Sequence, residues 1–267
     1  MDDHADGHAW QVGVWDRISQ IYWDEIDRRF ASVIAGVLAR ADLRAGERVL
    51  DLGTGTGAVA EKAAHAVQPN GHVLAIDISP EMLALARQRA ERAPHTFRVE
   101  DGAGESIPAA EASVDVILAS LSLMYVIDRP RAAREIARAL RPGGRLVASV
   151  WAGPDLCDIV LFQQTAGAFA PTPPVPGVGP GALADPPPFL EQLARAGIDA
   201  RVETEVLGFE FEDFTSAWDV LAGVTTAMLP PKRQREAQHA VQAVMWPDPG
   251  EPRHFRNTTQ FIIAQRH

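Results

Sequence analysis

Residues 49–57, Val-Leu-Asp-Leu-Gly-Thr-Gly-Thr-Gly, constrain this chain more than any other stretch. A short apolar run ends in an acid, and glycines then fall at every second position. Val59, Ala60, Ala63, Ala64 and Val67 follow with helical spacing. That order reads as a buried strand, a tight turn and a helix over 58–67. Glycine lets the turn take positive φ and lets a ligand approach the backbone without meeting a Cβ. The helix start offers free N–H groups to a polar ligand. The pattern predicts a bound nucleoside carrying a charged tail.

The glycines alone do not choose the nucleoside. Gly53, Gly55 and Ala58 also fit the dinucleotide pattern Gly-x-Gly-x-x-Gly/Ala, so NAD stays open at this point. Asp51 is more selective. A carboxylate at the end of the first strand repels a pyrophosphate but suits the zwitterionic tail and cationic sulfur of S-adenosylmethionine. Asp77 closes the next apolar strand, 72–77, where an acid accepts hydrogen bonds from ribose hydroxyls in either kind of site.

Four segments, VLDLGTGTG, AIDIS, SVDVILASLSLMYV and RALRPGGRLVASVW, stand in an order and spacing that resemble the class I S-adenosylmethionine-dependent methyltransferases. The likeness is to the small-molecule branch that includes the ubiquinone/menaquinone-biosynthesis enzymes, and it covers about residues 12–151. The resemblance implies a doubly wound, Rossmann-like, seven-stranded and mostly parallel sheet with its last strand antiparallel. It also implies S-adenosylmethionine as cofactor. Asp51, Gly53 and Gly55 would lie along its methionine and ribose part, Asp77 on the ribose hydroxyls, Ile78 beside the adenine and Ser120 near the reacting methyl. Trp15-Asp16-Arg17-Ile18 through Tyr22 is similar to the family's N-terminal aromatic element, whose tyrosine reaches the methionine end.

Two departures bear on the site. The family's Gly-Asp-Ala-Glu-x-Leu-Pro run, whose Asp meets the adenine, is one residue longer here over 99–108. Counting forward favours Asp101-Gly102, and counting back from Pro108 puts Ala103 at the acidic position; Asp101 is taken as the adenine contact. Met124-Tyr125 stands where relatives carry a His pair facing the substrate, so no histidine base is expected there.

A chain of 267 residues, 46% of them hydrophobic, is long enough for one α/β domain with a cap. The balance of 25 basic against 35 acidic residues argues against nucleic acid, whose phosphates need local cation density. A lone cysteine, Cys157, excludes internal disulfides and agrees with a reducing cytoplasm. An acidic, polar start is unlike a signal peptide, and no apolar run approaches the roughly 20 residues that span a bilayer. No His/Cys ligand spacing points to a metal. The expected partner is a small molecule, and homo-oligomerisation is left open.

Residues 1–9 read as frayed, and 10–38 as helical on the spacing of Val14, Ile18, Ile21, Ile26, Phe30, Val33, Ile34 and Val37. Ser79-Pro80-Glu81 opens a helix to about residue 91. Strands are expected at 96–100, 114–120 and 145–151, with a helix over 131–140, an alternation that implies a parallel sheet covered on both faces. Beyond it lie a helix at 155–169 and a stretch with eight prolines at 171–188, read as a loop held against the cofactor face. A helix at 189–196, a strand at 200–211, helices at 214–228 and 232–245, and a strand at 259–265 complete the chain. The organisation expected is one domain, with an arm (1–40), a cofactor core (41–151), a helix and Pro-rich cap (152–200) and C-terminal strands and helices (201–267).

A sulfonium methyl is already electrophilic, so the protein has mainly to align a nucleophile and exclude water; a general base adds roughly 10²–10⁴-fold. Tyr22, Tyr125, Glu105, His8 and His254 are the base candidates. Tyr22 and Tyr125 are the foremost, although Tyr22 suits packing or cofactor contact more than proton abstraction and Tyr125 suits a pocket wall as well as a polar contact; Glu105 suits a loop or cap, and the two histidines suit the surface. Four functions follow: small-molecule methyl transfer to O, N or C; a cofactor-binding protein that does not methylate; an NAD-dependent oxidoreductase; and a protein methyltransferase.

Overall fold

The computed structural model describes residues 3–93 and 97–267. Seven strands, β1 (Arg48–Leu52), β2 (His72–Asp77), β3 (Phe97–Asp101), β4 (Val114–Ser120), β5 (Leu140–Trp151), β6 (Ile198–Phe211) and β7 (Arg253–Arg266), form one sheet in the order β3-β2-β1-β4-β5-β7-β6. β1 to β5 pair in parallel, and β7 runs antiparallel to both β5 and β6. The last strand alone opposes the others, as the resemblance implied.

Strand side chains alternate between two apolar layers. Val49, Val116, Leu118 and Val147 pack with the helices Ala31–Ala41 and Ala58–Ala66 on one face. Leu50, Ile117, Leu146 and Ile262 join the larger cluster on the other. Burial on both faces explains why these strands read as continuous apolar runs. The chain leaves β1 toward β2 on one side and returns to β4 on the other. The crevice of such a sheet lies outside the carboxyl ends of the strands at that switch.

The helix Pro80–Ala90 starts as read, with the Ser79 hydroxyl accepting from the Met82 amide at 3.1 Å and Pro80 in the first turn. Other elements differ from expectation. The N-terminal segment is helical from Asp3 to Ile21, not frayed; Met1 and Asp2 lie outside the described residues, as does Thr96 of the third strand. Polar anchors add to the buried, helix-spaced Val14 and Ile18. Gln11 Nε2 donates to the Tyr125 carbonyl at 2.6 Å, and Asp16 accepts from the Ser79 hydroxyl at 2.6 Å. A π-turn at Tyr22–Ile26 interrupts the helical arm.

The helix expected over 214–228 divides into Phe214–Leu221 and Gly223–Thr226. β7 is twice the expected length, because its first half pairs with β6 down to Arg253↔Phe211. The fifth strand starts at Leu140, with Pro142 to Gly144 absorbed in a register shift against β4 and Gly143 at φ +77. The Pro-rich stretch is irregular up to the helix Pro187–Arg195, whose first turn takes two of its prolines. It rests on Met124, whose carbonyl accepts from the Gly179 amide at 3.0 Å, and on Gln260, whose amide donates to the Ala184 carbonyl at 3.0 Å. Among the described residues no helix is long and apolar enough to cross a membrane.

Candidate functional site

Gly53, Gly55 and Gly57 all take positive φ, at +68, +55 and +86. At Gly53 the need for glycine is double, because a Cβ there would lie 2.5 Å from Ser122 Cβ. Ser122 is itself pinned against β1, its hydroxyl donating to the Leu52 carbonyl at 2.6 Å. The turn thus brings bare backbone to the carboxyl ends of β1 and β4, as a close-approaching ligand requires.

Two buried carboxylates frame it. Asp51 accepts from Thr54 Oγ1 at 2.6 Å and from the Ala60 amide, and burial pushes its pKa up to about 7. Asp77 accepts from the Gly55 amide at 2.8 Å and the Ser79 amide at 3.0 Å. Burial raises its pKa as well, against the opposing pull of these amides. Its backbone carbonyl accepts from the Gly102 amide at 3.1 Å, joining β2 to the turn after β3.

A cavity opens over this turn, about 730 Å³ with the open solvent at its mouth counted in. Of the residues read from the sequence, Tyr22, Gly53, Gly55, Asp77, Ile78, Gly102 and Ser120 line it. Asp51 lies behind the wall, bonded into the glycine turn. Asp101 is exposed beside the cavity, opposite Asp77 in the register, while Gly102 and Ala103 reach the lining. The carboxylate that does reach the lining after β3 is Glu105, whose Oε1 accepts from the Ile127 and Asp128 amides at 2.9 and 3.0 Å.

The helix Asp3–Ile21 contributes His8, Gln11 and Trp15 to the same wall, with His8 Nε2 3.8 Å from Glu105. The aromatic element in the sequence signalled Trp15 and Tyr22. His8, a base candidate in the sequence that suited the surface, lines the cavity instead, and Gln11 beside it carried no signal in the pattern. His254 lies far along β7, opposite Glu210, and lines neither this cavity nor the next. Cys157 is buried, with its thiol pushed up to about 12 by that burial, and bonds the Asn257 side chain.

A second, smaller chamber of about 470 Å³ adjoins the first. Trp15, Tyr22, Leu121 and Tyr125 line both and form the junction. Trp15 meets Tyr125 edge-on at 4.7 Å and Tyr22 at 6.4 Å. Leu121 holds φ +55, rare for a branched side chain and concentrated at functional sites. The Ser149 carbonyl and hydroxyl grip its amide at 2.9 and 3.1 Å. Burial raises the pKa of both tyrosines, so both remain phenols: donors, not bases.

Comparison with known proteins agrees with this geometry. The methyltransferase-domain family matches residues 50–148. The chain is 33% identical over 226 residues to 27-O-demethylrifamycin SV methyltransferase of Amycolatopsis mediterranei, covering 83% of this chain and 78% of that protein. It is 38% identical over 144 residues to a 37.1 kDa protein in transposon TN4556 of Streptomyces fradiae, a match spanning 53% of this chain but only 41% of that protein. Among solved structures, YcgJ of Bacillus subtilis superposes with a TM-score of 0.65 at 20% identity, covering 89% of this chain and 99% of that one. A glycine turn of this geometry, a sheet of this order and a relative matched along most of both chains agree: the chain belongs to the class I S-adenosylmethionine-dependent methyltransferases.

Proposed function

We propose that the chain transfers a methyl group from S-adenosylmethionine to an oxygen of a small-molecule acceptor, chiefly by alignment and exclusion of water. The observation that carries this reading is the charge of the first cavity. Asp77 and Glu105 line it, and none of its nineteen described lining residues is Lys or Arg. Such a wall suits a ligand with ammonium and sulfonium charges and leaves a pyrophosphate without a counterion, which disfavours the NAD reading. Asp51 fits the same ligand. A carboxyl held near neutrality by burial regains its charge when a cation approaches.

When bound, the donor supplies an already electrophilic methyl group. Asp77 would accept from the ribose hydroxyls, and Gly53 and Gly55 would present backbone, with Asp51 behind them. Ile78, Gly102 and Asp101 would meet the adenine end, and Ser120 and Tyr22 the methionine end. The arm (1–40) and the Pro-rich cap (152–200) would close one unit over the cofactor core (41–151), with 201–267 completing it. Oxygen as the acceptor atom is supported by the Amycolatopsis relative, a 27-O-demethylrifamycin SV methyltransferase.

Calorimetric titration with S-adenosylmethionine, S-adenosylhomocysteine and NAD tests this, with Asp77→Ala as control. The expected result is binding of both sulfur nucleosides, weakened in the control, and none of NAD. Binding of NAD alone would overturn the reading.

A further inference from the structure

The second chamber is apolar to an unusual degree for a place where a proton must leave. Its thirteen described lining residues include no Asp, Glu, His, Lys or Arg. Gln163 is its one amide, and both ends of that amide are occupied. Nε2 donates to the Leu221 carbonyl at 2.7 Å, and Oε1 accepts from Thr225 Oγ1 at 3.3 Å. The remaining ionisable groups are the Tyr22 and Tyr125 hydroxyls at the junction with the cofactor cavity.

Resting on the methyltransferase reading above, we infer that this chamber takes acceptors carrying a self-ionising hydroxyl, acidic phenols or enols on an apolar body, and that no side chain of the chamber removes the proton.

The surrounding charges support the inference. Both phenols are pushed up by burial, and the carboxylates of Asp27 and Asp77 push Tyr22 further. Asp27 is held away by the Thr56 hydroxyl and Arg89, each at 2.6 Å. His8 and Glu105 face the cofactor cavity alone. At the junction a tyrosine can donate a hydrogen bond to an oxyanion but cannot take a proton from an alcohol.

The chemistry balances without a protein base. The acceptor gives its proton to water on ionising, and its oxygen then forms the O–C bond with its own lone pair. The C–S bond breaks with its electron pair left on sulfur. Anion and cation become two neutral groups, a change that a low-dielectric chamber favours over water. An aliphatic alcohol of the same shape carries no such charge and forgoes the roughly 10²–10⁴-fold that a general base supplies.

The test uses the full chain, S-adenosylmethionine and a series of para-substituted phenols from 4-nitrophenol to 4-methylphenol, with 4-nitrobenzyl alcohol as the non-acidic match. S-adenosylhomocysteine formation is followed against pH. The expected result is an acid limb in kcat/KM that moves with each phenol's own pKa, and a benzyl alcohol turned over at least ~100-fold more slowly. Tyr125→Phe keeps the ring packing and should lower kcat/KM roughly 10-fold, the worth of a hydrogen bond to a charged oxygen, without moving the limb. Val224→Asp, which puts a carboxylate in the chamber, should weaken 4-nitrophenolate binding at least ~10-fold, read by tryptophan quenching, while S-adenosylmethionine affinity holds.

A limb at one pH for every phenol, or one that Tyr125→Phe shifts, would reveal a protein base and overturn the proposal. Turnover of amines or thiols but of no phenol would overturn the acceptor class and leave methyl transfer standing. Failure to bind S-adenosylmethionine would remove both.

Discussion

The cavity at the glycine turn is framed largely by backbone and short turns at the ends of β1, β2 and β4. The neighbouring chamber is framed by side chains gathered from residues 15 to 224. The first carries carboxylates and positive-φ glycines; the second carries aromatic and aliphatic groups and no charge. A site that must hold one fixed ligand can be written in a few contiguous residues whose conformation is itself the recognition. A site shaped for an acceptor is a packing problem, and its members need only converge in space.

Substitutions can break that division, and the largest effect is expected at Gly53. An Ala there meets Ser122 Cβ at 2.5 Å and must hold φ +68, which costs about 1–2 kcal/mol before any clash. Gly53→Ala should lower the unfolding midpoint and weaken S-adenosylmethionine binding more than ~100-fold by calorimetry. Asp77→Asn comes next. It removes a charged acceptor while keeping the size, so cofactor affinity should fall roughly 10–100-fold with the acceptor KM unchanged.

Asp51→Asn probes the charge contrast through stability. The folded-state pKa of Asp51 is raised from 3.8 to about 7 by burial. Its stabilising contribution is therefore complete below pH 3.8 and is lost as pH rises through about 7. Without ligand, the wild type should lose stability between pH 5 and 8 relative to Asp51→Asn, by roughly 2 kcal/mol, in thermal unfolding series. Asp77, shifted the same way, should leave part of the slope in the variant. The smallest effect belongs to the chamber. Val224→Phe should change preference between small and large acceptors about 10-fold, with cofactor affinity unaltered.

The same contrast explains what was legible in the sequence. The strand, glycine turn and helix around 49–67 are local, and their burial, positive φ and helix start follow from adjacent residues. Asp77 was read from a strand end and Ile78 from the family resemblance, and both line the first cavity. The chamber has no local signature: Trp151, Ile159, Gln163 and Leu221 lie in separate elements, and only the fold sets them around one space. Leu121 gave no signal because its left-handed backbone is imposed by Ser149 across the sheet. Only the first turns of the N-terminal helix, before residue 10, were not legible, and the helix is also held through distant partners, Gln11 by Tyr125 and Asp16 by Ser79. The length of β7 was underestimated for a similar reason, since its first half is extended by pairing with β6.

The position of β7 has a consequence in time. β5 and β6 touch each other only through it, yet it follows β5 by more than 100 residues and comes last of the seven strands in chain order. The parallel strands β1 to β4 can assemble from connections within one stretch of chain. β5 and the 14-residue β6 must meanwhile keep open edges of unpaired amides and carbonyls. During synthesis the half that holds the glycine turn is therefore the early half, and the half built on β5 to β7 is the exposed one. Damage to β7 should show first as aggregation of newly made chain, before any loss in the cofactor pocket of molecules that complete folding.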